Sequence, residues 1–200
     1  VLILSVTVFW GLIIIIIQLI VINKDKIIAS GIIKDQFAMG NLQADVHWTG
    51  YEFLIGVGFV AAITLLFSTR RIKQKQQIFG TLIFTLLFTY CTLLFIAPRI
   101  EGYSQRAAIE FYKDKSHEDC YVRTLGFKSY AHLFYFNLKK PANPKAWDDE
   151  WYMNGDIDKP VYFVMKNSSS KEYLDKYPQL KVQYEENGFV FAKRDINNAQ

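Results

Sequence analysis

VLILSVTVFWGLIIIIIQLIVI, residues Val1–Ile22, contains no Asp, Glu, Lys or Arg and is dominated by Ile, Leu and Val. Each such residue contributes roughly −0.3 to −0.6 kcal/mol to membrane insertion at a helix centre, so the run as a whole favours lipid. A soluble core helix is rarely this long, whereas about 20 apolar residues match the hydrocarbon thickness of a bilayer. The run has no Met, no basic start and no small-residue cleavage pattern, so it does not read as a signal peptide. The expectation is that Val1 lies inside a longer polypeptide, with chemistry upstream of it.

Two further runs follow the first. Tyr51–Thr69 carries only Glu52, near enough its start to reach the interface, and Ile78–Ala97 carries no charge and is closed by Pro98. The predicted fold class is therefore an α-helical membrane segment, residues 1–98, with three transmembrane helices at about 1–22, 51–69 and 78–97. A small C-terminal α/β domain follows over 99–200. The overall apolar share of 51% hides this division, because the second half is charged and rich in aromatics.

Arg70, Arg71, Lys73 and Lys75 crowd the loop between the second and third runs, with no acidic residue among them. A short basic loop marks the cytoplasmic side, which sets the C-terminal domain on the extracytoplasmic side. The loop after the first run also carries Lys24, Lys26 and Lys34, but less densely. Within that loop, 24–49, Ile28, Ile32, Ile33 and Phe37 recur at helical spacing and predict a short amphipathic helix in the membrane interface. Two readings stay open for it: a connecting helix packed on its neighbours, or a helix bordering the way in for a lipid substrate. Asp45 and His47 are too few for a metal site, and Trp48 suits an interface anchor.

In the second half, Tyr103–Asp114 predicts a helix with Ser104 as N-cap. Asp119–Leu125 and the aromatic Ser129–Phe136 predict strands. Pro160–Met165 is a continuous apolar run, as expected of a strand covered on both faces. Ser169 and Glu172 resemble a capping box opening a helix that ends before Pro178. Val182–Glu185 and Phe189–Ala192 flank Asn187-Gly188, a hairpin turn signal. The loop Lys139–Lys159, with Pro141, Pro144, Trp147 and Trp151, is long enough to suggest surface function or close packing on the membrane part.

The net charge of +4 is spread along the chain, with no basic block of the nucleic-acid-binding kind. Cys91 and Cys120 fall in different halves and suggest no disulfide framework, with Cys120 a small buried side chain. No nucleophile elbow, phosphate loop, dinucleotide fingerprint or Cys/His metal spacing occurs, and no cofactor or metal is indicated. His117 and His132 read as surface or packed histidines. Trp151-Tyr152-Met153-Asn154-Gly155 matches the WWDYG motif of oligosaccharyltransferases poorly, since Met or Asn stands where the Asp belongs.

The junction Ala97-Pro98-Arg99, the helix after it, Asp119-x-Tyr121 and Lys128-Ser129-Tyr130-Ala131-His132-Leu133-Phe134-Tyr135 resemble the C-terminal end of bacterial GT-C glycosyltransferases. These are the relatives of aminoarabinose transferase and protein mannosyltransferases. Lys159–Val164 and Gly188–Lys193 also look similar. The resemblance implies a last transmembrane helix leading into an extracytoplasmic α/β domain, in which Ser129–Tyr135 matches a strand. It implies transfer of a sugar from a polyprenyl-phosphate donor at the outer face of the inner membrane. The partners implied are membrane lipid, the lipid-linked donor and an upstream transmembrane part of the same protein, and nucleic acid is not among them. The catalytic carboxylate of such enzymes lies in an early loop, so no catalytic residue is assigned here. Lys128, Ser129 and Tyr130 are the candidates for substrate contact. A non-catalytic membrane-anchored binding module is the competing reading, and a transporter is disfavoured by spans without deep charges.

Overall fold

The computed structural model describes residues 2–138 and 143–196. Lys139–Ala142 of the expected long loop lie outside the described residues. The chain divides into two units: residues up to Ile32 with Asp45–Gly102, and Ile33–Ala44 with Tyr103 onward. The division therefore falls four residues beyond Pro98 and takes part of the first loop into the second unit.

The elements of the first half are α1 (Leu2–Ile22), α2 (Lys24–Ala29), α3 (Gln36–Leu42), α4 (Phe53–Ser68), α5 (Gln74–Cys91), a π-turn at Thr92–Ile96 and α6 (Ala97–Ser104). Two helices are long and apolar enough to cross a membrane, Leu2–Ile22 with 21 residues and the continuous Gln74–Ser104 with 31. The second expected span, 51–69, is shorter. α4 has 16 residues, about 24 Å of rise, because Glu52 lies in the turn before it and Thr69 turns extended after it.

α1 and α4 approach backbone to backbone. A Cβ on Gly56 would lie 2.5 Å from the Gly11 carbonyl oxygen, the small-residue contact by which helices pack without a hydrophobic drive in lipid. Phe59 of α4 stacks on Phe88 of α5 at 4.3 Å. The outer faces remain apolar and exposed, as at Phe79, Leu82, Leu86 and Leu93.

Pro98 does not close the third run. The Ala97 N–H donates to the Thr92 carbonyl, five residues back. This wider π-turn lets the helix absorb a proline ring that would otherwise clash with the preceding turn. The helix consequently runs on through Arg99 and Glu101 to Ser104. The expected single amphipathic helix in the 24–49 loop is also corrected. Gly31 adopts φ 64°, ending α2, and Asp35 starts α3 afresh by accepting from Phe37 N (2.8 Å) and Ala38 N (3.3 Å).

The second unit continues with α7 (Arg106–Lys115), β1 (Tyr121–Leu125), α8 (Ala131–Tyr135), a 3-10 turn (Pro144–Trp147), α9 (Asp149–Asn154), β2 (Val161–Lys166), α10 (Asn167–Lys176), β3 (Lys181–Glu186) and β4 (Phe189–Arg194). The sheet order is β1-β2-β4-β3. β1 runs parallel to β2, with Tyr121 opposite Val161, and both pairings of β4 are antiparallel. β2 is central, and Val161–Met165 is buried on both faces, which its unbroken apolar run requires. One face packs Phe111, Tyr112, Tyr162, Val164 and Phe191, and the other packs Trp151, Met153, Phe163, Met165 and Val190. Asn187 (φ 48°) and Gly188 (φ 83°) form the hairpin turn, as their dipeptide predicts.

Three local readings change. Ser129–Phe136 is not a strand: it forms the one-turn helix α8, so the strand implied by the resemblance at Ser129–Tyr135 is absent. Ser104 ends α6, and Gln105 rather than Ser104 precedes α7. α10 starts at Asn167, ahead of the Ser169/Glu172 pair, and ends at Lys176 before Pro178.

Candidate functional site

The second unit contains a recess of about 280 Å³ lined by residues of α3, α7, the β1–α8 loop and the start of β4. Its geometry begins at the end of β2. Asn167 N donates to the Gly188 carbonyl (2.9 Å), and Asn167 Nδ2 donates to the Gln36 carbonyl (3.1 Å). These bonds join the hairpin turn and α3 to the β2–α10 junction. Gly40 and Gly188 meet without side chains, and any Cβ on Gly40 would collide with the Gly188 backbone. Phe37 then lies edge-on against Phe189 at 5.1 Å.

Lys166, the last residue of β2, holds its Nζ 4.7 Å above the Phe37 ring and 5.8 Å from the Phe127 ring, a cation–π arrangement that fixes an otherwise flexible ammonium. Gly126 (φ 76°) turns the chain out of β1, and its missing side chain leaves room for the Tyr173 ring. Lys128 and Ser129 follow on the recess wall, and Ser129 Oγ accepts from Ala131 N at 3.2 Å to start α8. None of the described lining residues is acidic, and two of them, Lys128 and Lys166, are cations.

Tyr112 of α7 lines the same recess, is fully buried, and its hydroxyl has no hydrogen-bond partner. Burial pushes its phenol well above the ordinary tyrosine range, so it stays protonated and offers a donor. A buried unpaired hydroxyl is costly, and such groups concentrate where a ligand completes them. Neutral donors and cations suit an anionic or polyhydroxylated group, and aromatic walls suit the flat face of a sugar ring.

Of the three expected contact residues, Lys128 and Ser129 line this recess and Tyr130 does not: it projects outward and is exposed. Lys166 and Tyr112 escaped the sequence reading. Lys166 carried one usable signal, a cation ending an otherwise apolar strand, whereas Tyr112 carried none.

The other singled-out residues resolve into packing. His117 is exposed and His132 is buried among aromatics, its ring 6.1 Å from that of Tyr112. Trp48 lies beneath the Arg99 guanidinium at 5.6 Å, and His47 contributes only its backbone carbonyl, which accepts from Arg99 Nε (3.0 Å). The Trp151–Gly155 string is α9 and its cap. Buried Arg194 donates to the carbonyls of Tyr152 (2.9 Å) and Gly155 (2.6 Å), neutralising that helix end. Cys120 is buried and free, and burial pushes its thiol up to about 11, so it is no nucleophile at neutral pH.

The first unit holds an apolar groove of about 660 Å³ between α1 and α5, lined by Trp10, Ile14, Phe59, Phe88 and Leu93 with a row of threonines at 81, 85, 89 and 92. Among the described residues, no group of three or more His, Cys, Asp or Glu side chains could hold a metal ion. No family model, curated protein or solved structure matches this chain.

Proposed function

We propose that this chain is the C-terminal part of an integral inner-membrane glycosyltransferase that uses a polyprenyl-phosphate sugar donor. In this reading Leu2–Ile22, Phe53–Ser68 and Gln74–Ser104 all span the bilayer, with the short α4 served by local thinning of the membrane. The basic loop Arg70–Lys75 lies in the cytoplasm and the α/β unit outside it. The acceptor is extracytoplasmic, and the catalytic carboxylate belongs to another part of the enzyme.

The observation that carries this reading is the recess, which Lys128, Lys166 and Tyr112, with its buried unpaired hydroxyl, line without a carboxylate among the described lining residues. Phosphoryl and sugar groups need such cations and donors while a bond to phosphate breaks. The groove along α1 and α5 is wide and apolar enough for a prenyl chain. The recess supplies no general base, so its role is to hold or position substrate, and activation of the acceptor hydroxyl falls to a residue elsewhere.

The test is binding and turnover by the full chain in nanodiscs. Undecaprenyl phosphate should bind, and Lys128→Ala with Lys166→Ala should weaken it by about tenfold or more. Unchanged affinity in that double variant removes the recess from the reading. No polyprenyl-phosphate sugar should be turned over by this chain alone, and measurable turnover would overturn the assignment of the carboxylate elsewhere. A reporter fused after Gln200 should be exported, and a cytoplasmic signal would reverse the topology.

The absence of carboxylates from the recess lining also favours a second reading. In it the unit is a non-catalytic, membrane-anchored extracytoplasmic module that holds an anionic envelope polymer. Binding of such a polymer by the full chain, with no affinity for polyprenyl phosphate, would select it.

A further inference from the structure

α8 is built inside out. Its single turn buries His132, 6% exposed, together with Phe136, while Tyr130, Leu133 and Phe134 stand 79%, 39% and 79% exposed. Positions i, i+3 and i+4 share one helix face, so these three side chains form one apolar knob. Partition by water alone would turn this helix the other way, with the imidazole out and the two large rings in. The backbone around it is fixed: Gly126 sets the turn and Ser129 caps the helix.

What covers the knob follows from its surroundings. Lys113 of α7 places its Nζ 5.2 Å above the Tyr135 ring, which in turn meets Phe134 edge-on at 5.0 Å. From Tyr121 to Trp147 the sequence holds Arg123, Lys128, Lys139, Lys140 and Lys145 and not one Asp or Glu. Amphipathic aromatics in a stretch of sequence whose charges are all basic are the composition of a segment seated at a headgroup boundary, where the rings enter the acyl edge and the cations meet anionic lipid. The chain supplies the surface, since α7 follows the membrane-competent helix Gln74–Ser104 after a single residue.

We infer that Tyr130, Leu133 and Phe134 form a membrane-interface anchor that seats the α/β unit on an anionic phospholipid surface. The inference rests on the membrane reading above and is independent of sugar transfer.

The test uses the full chain in phosphatidylglycerol-containing nanodiscs, with an NBD probe at single cysteines in a Cys91→Ala/Cys120→Ala background. The probe sites are Phe134→Cys, Lys171→Cys on exposed α10 and Leu86→Cys on the outer face of α5. Shallow doxyl lipids should quench the probe at 134 at least about threefold more than at 171, with blue-shifted emission at 134. Quenching at 86 but not at 134 overturns the anchor alone. A blue shift at 134 without lipid quenching means a protein covers the knob, and it overturns the anchor as well. Loss of quenching at 86 sinks the membrane reading and the anchor with it. Should the cysteine-free background fail to fold, hydrogen exchange on the unsubstituted chain decides. Amides of 130–136 should exchange more slowly in phosphatidylglycerol nanodiscs than in phosphatidylcholine ones, and equal rates overturn the anchor.

Discussion

Arg99 and Glu52 form an ion pair at 3.1 Å, with the Glu52 side chain only 4% exposed. Glu52 also accepts from Thr49 N (2.9 Å), Thr49 Oγ1 (2.8 Å) and Gly50 N (3.0 Å), so both oxygens of the carboxylate have donors. Arg99 reaches the pair because the helix continues past Pro98, and its guanidinium is held further by the Phe95 carbonyl and the Trp48 ring. The pair therefore ties the start of α4 to the extension of α5 through α6.

Removing one partner of such a pair strands the other. Arg99→Ala leaves a buried carboxylate served only by neutral donors and should destabilise the chain by about 2–4 kcal/mol. Glu52→Gln/Arg99→Met, which removes both charges, should recover part of that loss. Thermal unfolding in detergent reads both, and a double variant no more stable than Arg99→Ala would show that the pair does not act as a unit.

Gln18 presents the opposite case. It is buried in α1, and neither amide atom has a hydrogen-bond partner. Gln18→Leu conserves volume and removes two unsatisfied polar atoms, so it should raise stability by about 1–2 kcal/mol. A lower unfolding temperature for Gln18→Leu would mean that the amide is paired in the folded protein.

These residues show what the sequence makes legible. An apolar run with no charges announces α1, a run of Val, Tyr, Phe and Met announces β2, and Asn187-Gly188 announces its hairpin, because each signal is local. Ser129–Phe136 misleads because its aromatics alternate closely enough to mimic a strand, while the deciding facts are the left-handed turn at Gly126 and the Ser129 cap. Pro98 misleads because the π-turn that accommodates it leaves no mark in composition. The recess is illegible for a different reason: Phe37 and Lys166 meet across 129 positions of chain, through a packing of Gly40 on Gly188 that no window of sequence contains.

Tyr112→Phe separates ligand binding from packing in the recess. Its hydroxyl is buried and unpaired, so deleting it should stabilise the unliganded chain by about 1 kcal/mol. If the hydroxyl donates to a bound phosphate or sugar, the same variant should bind that ligand about five- to tenfold more weakly. Thermal unfolding and binding measured on one preparation check both signs. A variant that is more stable and binds equally well would assign Tyr112 to the core alone.

His132 makes stability depend on pH. Burial lowers its pKa below the usual histidine value, and the positive charge of Arg123 acts in the same direction. The unfolded chain therefore takes up a proton near pH 6.5 that the folded chain refuses. The unfolded state binds more protons in the window between that value and the lowered one, so this contribution is intact above about pH 6.5 and is lost as pH falls through the window. The unfolding temperature should accordingly drop between pH 7 and pH 5 more steeply in the parent chain than in His132→Gln, which cannot titrate. Carboxylates titrating in the same range affect both proteins alike, so the difference between the two curves isolates the imidazole. Parallel curves would mean that His132 accepts its proton in place, with α8 still closed over it.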